Sequence, residues 1–136
     1  MYGVTLIKEI FAVVIHGEGK FIDPRESGAL VFVCGSLMDP AFVAGLVGHE
    51  IAMSPAVARG FSRGWGEADG KKFHFLQKDP EGMVPGVALL GFSAADIAKL
   101  EEFEQVPAVR RRAELEIIIG DIRIPGHTYL KKTDKQ

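Results

Sequence analysis

Glu104 is the residue on which chemistry is most readily built. It closes a stretch from Ser93 to Glu104 that reads as a helix. At 100° per residue, Ile97, Leu100 and Phe103 define one apolar direction. Glu104 projects roughly 40° from that direction, Glu101 roughly 100° and Glu102 roughly 160°. Glu102 therefore faces water, Glu101 sits at the border and Glu104 points inward with the apolar stripe. A carboxylate among apolar groups is costly to ionise, so its pKa rises toward the range of a general acid or base near neutral pH. A plainer reading stays open: at a helix end the side chain can swing out and pair with Arg110 or Arg111. Asp96 also lies near the stripe, but Ser93 and Asp96 form a capping box that occupies it.

A second constellation is Val33-Cys34-Gly35-Ser36-Leu37, where an apolar strand ends in a small, flexible turn before a helix. Successive backbone N–H groups in such a turn can converge on an anion, and simple chain reversal is the alternative. The long glycine run and lysine of a phosphate loop are missing. Cys34, the only cysteine, offers a thiol nucleophile with His16, His49, His74 or His127 as base, yet no spacing requires their contact. At the end of an apolar strand it also reads as a core residue. The histidines form no HxH or HxxxH set, so we assign neither metal nor cofactor. Arg110-Arg111-Arg112 could take an acidic ligand, or stand solvated at a strand start where neighbours face opposite ways.

These residues need elements to position them. Leu30 to Cys34 is apolar without alternation, which predicts a strand covered on both faces. Asp39-Pro40 opens a short helix through Phe42, Val43, Leu46 and Val47 that stops at Gly48. Ala52 to Phe61 reads as a strand, followed by a sharp bend in the glycine-spaced Arg59 to Gly66. Lys72 to Leu76 alternates with Phe73 and Phe75 on one side, and Val84 to Phe92 is apolar with an early interruption at Pro85-Gly86. Ala113, Leu115, Ile117 and Ile119 share one face of a half-buried strand. Ile122 to Ile124 and His127 to Leu130 form a last bulged strand or two short ones. Many strands with two short helices predict a mixed α+β fold: a small closed or nearly closed β-barrel with flanking helices, an open α+β sheet being the alternative. Strand order is not legible.

Composition narrows the class. The 136 residues suit one domain, 1–136, since two cores would each be marginal. Sixteen Lys and Arg against eighteen Asp and Glu give a net charge of -2, no basic field for nucleic acid. One cysteine excludes an intrachain disulfide. The apolar runs are too short for a bilayer, and the N-terminus lacks signal-peptide character, so we expect no membrane partner and a cytoplasmic location. Residues 4–15 read as one strand or two, with a turn at Gly17-Glu18-Gly19 and a return strand near Lys20 to Ile22. Asp23 to Gly28 is a loop separating this extension, 1–28, from the body, and the tail 133–136 is polar.

Val31-Phe32-Val33-Cys34-Gly35-Ser36-Leu37-Met38 resembles the opening strand and signature loop of the gamma-glutamylcyclotransferase-like, or AIG2-like, family. Pro85-Gly86-Val87 to Phe92, Ser93 to Leu100, Glu101-Glu102-Phe103-Glu104 and Arg110-Arg111 are similar to its second block, and His127-Thr128-Tyr129-Leu130 to its closing strand. The resemblance spans about 29–132 and implies a small β-barrel with flanking helices. It also implies cleavage of a γ-glutamyl amide with release of 5-oxoproline and an amine or amino acid, without a cofactor. The family's catalytic glutamate falls on Glu104. Cys34, Gly35, Ser36 and Leu37 would hold the γ-glutamyl group, Tyr129 would line the pocket, and Arg111 would support the site. The chain departs from the family pattern at Cys34, Gln105 and Val109, where Tyr, Gly and Tyr are usual. The resemblance leaves out 1–28, a segment that could add strands or join two copies through an apolar edge into a homodimer. Two other readings compete: a silent pocket of the same fold for an amino-acid-like or acidic ligand, and a Cys34-dependent hydrolase.

Overall fold

The computed structural model describes residues 4–7, 10–14, 21–22, 24–26 and 29–131. Strands β1 (Val4–Ile7), β2 (Ile10–Val14) and β3 (Phe21–Ile22) form a small antiparallel sheet in that order, with β2 beside β5 of the body. The body contains β4 (Ala29–Val33), α1 (Pro40–Val47), β5 (Ala52–Ala68), β6 (Lys71–Phe92), α2 (Ala94–Glu104), β7 (Arg110–Ile119) and β8 (Ile122–Lys131). Five strands close a barrel in the order β4-β6-β5-β7-β8. All neighbours are antiparallel except β4 and β8, which meet in parallel at Val31 and His127. That seam brings the end of β4 beside the end of β8. Thr128 reinforces it by donating its hydroxyl to the Phe32 carbonyl at 2.8 Å.

The continuous apolar character of β4 has its reason in two cores. Leu30 and Phe32 point into the barrel with Ala58, Ala88 and Ile117, while Val31 and Val33 point outward under the helices with Leu37, Val43 and Leu100. Burial of both faces explains why no polar residue interrupts the strand. In β7 one face suffices: Ala113, Leu115, Ile117 and Ile119 are all buried. Both helix ends obey local chemistry. Asp39 caps α1 by accepting from the Ala41 N–H at 3.0 Å, and Gly48 ends it in the left-handed region. Ser93 and Asp96 exchange the two bonds of a capping box at the start of α2.

Two expected interruptions are absent. Arg59 to Gly66 does not bend sharply; β5 runs through it with one register shift at Gly60, whose φ is 88°. Gly64 makes room for a side chain of the facing strand. A Cβ on Gly64 would lie 2.5 Å from Cε2 of Phe75. Likewise Pro85-Gly86 lies inside β6, because Pro85 falls beyond the last β4 partner, Val87, where that side of β6 is an edge. The strand from Ile122 to Lys131 is also one element, paired residue by residue with β7. Beyond Gly60, β5 and β6 continue as a hairpin, from Phe61 opposite Lys78 to Ala68 opposite Lys71.

Gly86 is a point of close approach between β6 and β4. A Cβ there would stand 2.5 Å from Cζ of Phe32 and 2.6 Å from the Val33 carbonyl oxygen. The first is a ring with no exposed surface and the second is backbone, so neither gives way cheaply. We expect Gly86→Ala to cost about 1–3 kcal/mol. Urea unfolding should show a lower midpoint at unchanged slope, and an unchanged midpoint would contradict this packing.

Candidate active site

At one end of the barrel, the end of β4, the last turn of α2, the start of β7 and the end of β8 surround a cavity of about 280 Å³. Phe75 and Leu76 of the β5–β6 hairpin form a further wall. Of the residues expected to build a site, Cys34, Ser36, Leu37, Glu104 and Tyr129 line this hollow. Gly35 sits in the turn between Cys34 and Ser36, exposed and at φ 88°, a left-handed conformation that glycine adopts without strain. Gly35 to Met38 form a single 3-10 turn. Its i→i−3 bonding begins with the Leu37 N–H on the carbonyl of the N-cap Cys34, so the N–H groups of Gly35 and Ser36 have no acceptor within the turn.

Glu104 turns inward, with its side chain only 13% exposed. It also forms an ion pair: Nε of Arg110 lies 3.2 Å from its Oε2. The inward orientation and the arginine partner, alternatives in the sequence, thus hold together. Burial pushes the Glu104 pKa above the ordinary carboxylate value, and the Arg110 charge offsets this only in part. Arg110, not Arg111, is the arginine of the cavity lining; Arg111 projects from the other face of β7. Arg112, two residues from Arg110, faces α2 again and meets Glu101.

Cys34 is half-buried. Burial raises its thiol pKa, Arg63 lowers it and Glu104 raises it, with burial the largest influence. The group is therefore a thiol, not a ready nucleophile. Among the described residues no histidine lines the cavity. His49 is bound to Asp96 across 2.8 Å, and His127 to the Tyr129 hydroxyl across 3.1 Å. His16 lies outside the described residues, as does the side chain of His74. Among the described residues no three His, Cys, Asp or Glu side chains are grouped to hold a metal.

Several lining residues escaped the sequence reading. Phe103, expected in the apolar stripe, is 42% exposed. It meets Phe42 of α1 edge-on at 5.5 Å, at the rim where the helical layer is thin. Phe75, Leu76 and Lys131 were likewise not singled out, and Arg110 stood only as one of two possible partners of Glu104. For Arg110 a signal existed: Arg110 and Arg112 share a strand face, and Glu101 and Glu104 are one helical turn apart.

Gln105 caps α2 at φ 59° and ψ 49°, the left-handed conformation that costs a residue with a Cβ about 1–2 kcal/mol. This is the position where the resembling family commonly has Gly. We expect Gln105→Gly to raise stability by up to ~1 kcal/mol, less the entropy glycine adds to the unfolded chain. Thermal unfolding measures it, and a clear loss of stability would contradict the cap geometry.

Fold and cavity together define a small closed barrel with a shielded carboxylate beside a glycine-containing turn. Residues 31–136 match the model of the family described as gamma-glutamyl cyclotransferase, AIG2-like. The chain belongs to that family. Among solved structures it is similar to an Arabidopsis thaliana protein determined in solution, at 25% identity and a TM-score of 0.65, covering 76% of this chain and 61% of that one. The chain thus spans less than two thirds of that relative's length. A second Arabidopsis thaliana structure aligns at 22% identity and TM-score 0.66, over 79% of this chain and 70% of that one. A structure titled gamma-glutamyl cyclotransferase aligns at 18% identity and TM-score 0.66, over 77% and 67%. The last two likenesses are of fold alone. No curated protein matches the chain. Among the described residues no helix is long and apolar enough to cross a membrane.

Proposed function

We propose that the chain cleaves a γ-glutamyl amide by intramolecular cyclisation, releasing 5-oxoproline and an amine or amino acid, with Glu104 as the proton carrier. The observation that carries this reading is a desolvated carboxylate in the same hollow as the Cys34–Leu37 turn. The substrate supplies its own nucleophile. Its α-nitrogen attacks the γ-carbonyl carbon, a five-membered ring closes, and the bond from that carbon to the leaving nitrogen breaks. Glu104 takes a proton from the attacking nitrogen and returns it to the leaving one. A carboxyl with a raised pKa suits both tasks. Pre-orientation of the folded-back γ-glutamyl unit supplies much of the acceleration. A hollow of about 280 Å³ is at the small end for ligand sites and suits an amino-acid-sized group. Backbone N–H groups of the turn would grip its α-carboxylate.

Glu104 must be ionised to accept the first proton. The acid limb of kcat/KM should therefore fall at a pH above the ordinary glutamate value, in the direction that burial moves Glu104. A limb below that value would contradict its role. The defining experiment is a panel of γ-glutamyl amino acids, γ-glutamyl amines and γ-glutamyl-lysine isopeptide, assayed for 5-oxoproline with Glu104→Gln as control.

A second reading, ligand binding without turnover, is favoured by the Arg110 ion pair, which weakens Glu104 as a base. It predicts saturable binding of the same compounds with no 5-oxoproline. The Cys34-dependent hydrolase is the weaker reading, since burial disfavours the thiolate and no described histidine lines the cavity.

A further inference from the structure

We infer that Glu101, held by Arg112 and Tyr129, is a positioning residue that sets the rotation of α2 and so keeps the Glu104 carboxylate in the cavity. The inference rests on the cyclotransferase reading for its kinetic consequence, not for its geometry.

Glu101 and Glu104 are three residues apart on α2, so their side chains leave neighbouring sides of the helix one turn apart. The Glu101 carboxylate is the meeting point of two strands. Nε of Arg112, from β7, donates to its Oε2 at 2.9 Å, and an Arg112 Nη2 contact reinforces the pair. The Tyr129 hydroxyl, from β8, donates to the same oxygen at 2.9 Å. Arg112 and Tyr129 are directly paired across the β7–β8 ladder, so the two donors start from one rigid place. The hydroxyl is also within 3.1 Å of His127 Nε2; having donated to Glu101, it accepts from a neutral ring protonated there. Burial and the Arg112 charge both favour that neutral ring.

Two donors on one acceptor oxygen restrain the helix against turning about its axis, which a single contact does not. The first turns of α2 are held elsewhere, by Lys99 to the Val47 carbonyl at 3.0 Å and by Asp96 to His49. Past the buried Leu100, the last turn has only the edge contact of the exposed Phe103 with Phe42 and a single arginine, Arg110, on the Glu104 carboxylate and, at 3.5 Å, its carbonyl. Glu101 is thus the last firm anchor before Glu104. It also gives Tyr129 two tasks: the residue lines the cavity and its hydroxyl serves α2.

The test compares Glu101→Ala with Glu101→Gln, whose amide oxygen still accepts from both donors. Each full-length protein is assayed on γ-glutamyl amides, and Glu104 is titrated by NMR of 13C-labelled glutamate. Glu101→Ala should lower kcat roughly 10-fold with KM within about 2-fold, since a small misplacement of a reacting group is enough for such a loss. Its Glu104 midpoint should fall back toward the ordinary value as the carboxylate gains water. Glu101→Gln should restore most of both. A folded Glu101→Ala protein with wild-type kcat and an unmoved Glu104 midpoint overturns the inference. Equal loss in Ala and Gln also overturns it, because charge alone would then be at work. Should Glu101→Ala fail to fold, Tyr129→Phe removes one donor and keeps the ring, and the same criteria apply. A wild-type protein inactive on every amide, with a midpoint that still moves in Glu101→Ala, upholds the positioning and removes the cyclotransferase reading.

Discussion

Replacing Glu104 by Gln is expected to lower 5-oxoproline release at least ~100-fold. The amide keeps size and shape and fills the same place beside Arg110, but it neither accepts nor returns a proton. Folding should not suffer. The sign follows from the raised pKa of Glu104. A group that binds its proton more tightly folded than unfolded contributes stability that is fully present below its unfolded pKa. That contribution is lost as pH rises through the folded value. At neutral pH the ionised carboxylate therefore weighs against the fold, and a neutral amide removes that cost. The Arg110 side chain is 42% exposed, so water can solvate the guanidinium left behind. Steady-state kinetics beside thermal unfolding reads both quantities. Near-normal turnover would remove Glu104 from the role, and collapse of the fold would mean that the ion pair outweighs burial.

Truncating Phe32 to Ala should be the most damaging core change, at about 3–5 kcal/mol. Its ring has no exposed surface and packs against Gly86, and the residue stands at the wall of the cavity. A loss of that size is a large part of what a domain has to spare. The loss should also reach the site, because the Phe32 carbonyl accepts the Thr128 hydroxyl at the β4–β8 seam. Phe32→Leu keeps most of the volume and should cost less, roughly 1–2 kcal/mol. Chemical denaturation of both variants checks the order. Equal stability of wild type and Phe32→Ala would mean that the ring does not bear on the core.

What was legible in the sequence was local. The capping box at Ser93, the Asp39-Pro40 helix start and the one-sided apolar pattern of β7 each depend on residues a few positions apart. The inward turn of Glu104 is of the same kind: helical phase points to it, beside the outward alternative at a helix end. Glycine misled where it serves packing between strands: Gly64 and Gly86 read as breaks because the rings they accommodate, Phe75 and Phe32, lie on neighbouring strands. Strand order was illegible for the same reason, since the β4–β8 seam joins residues 96 positions apart. The choice between Arg110 and Arg111 as the partner of Glu104 stayed open because the phase of a strand's first residues depends on where pairing begins. The convergence of Glu101, Arg112 and Tyr129 needs three elements in register and could not be read from spacing alone.

The most direct measurement is turnover of γ-glutamyl amides in water enriched in oxygen-18, with both products identified by mass spectrometry. Cyclisation consumes no water, so 5-oxoproline should appear without label and in equal amount to the released amine. Labelled glutamate would mean hydrolysis by water, and no product from any of the amides would mean a pocket that binds without reacting; either result contradicts the cyclotransferase.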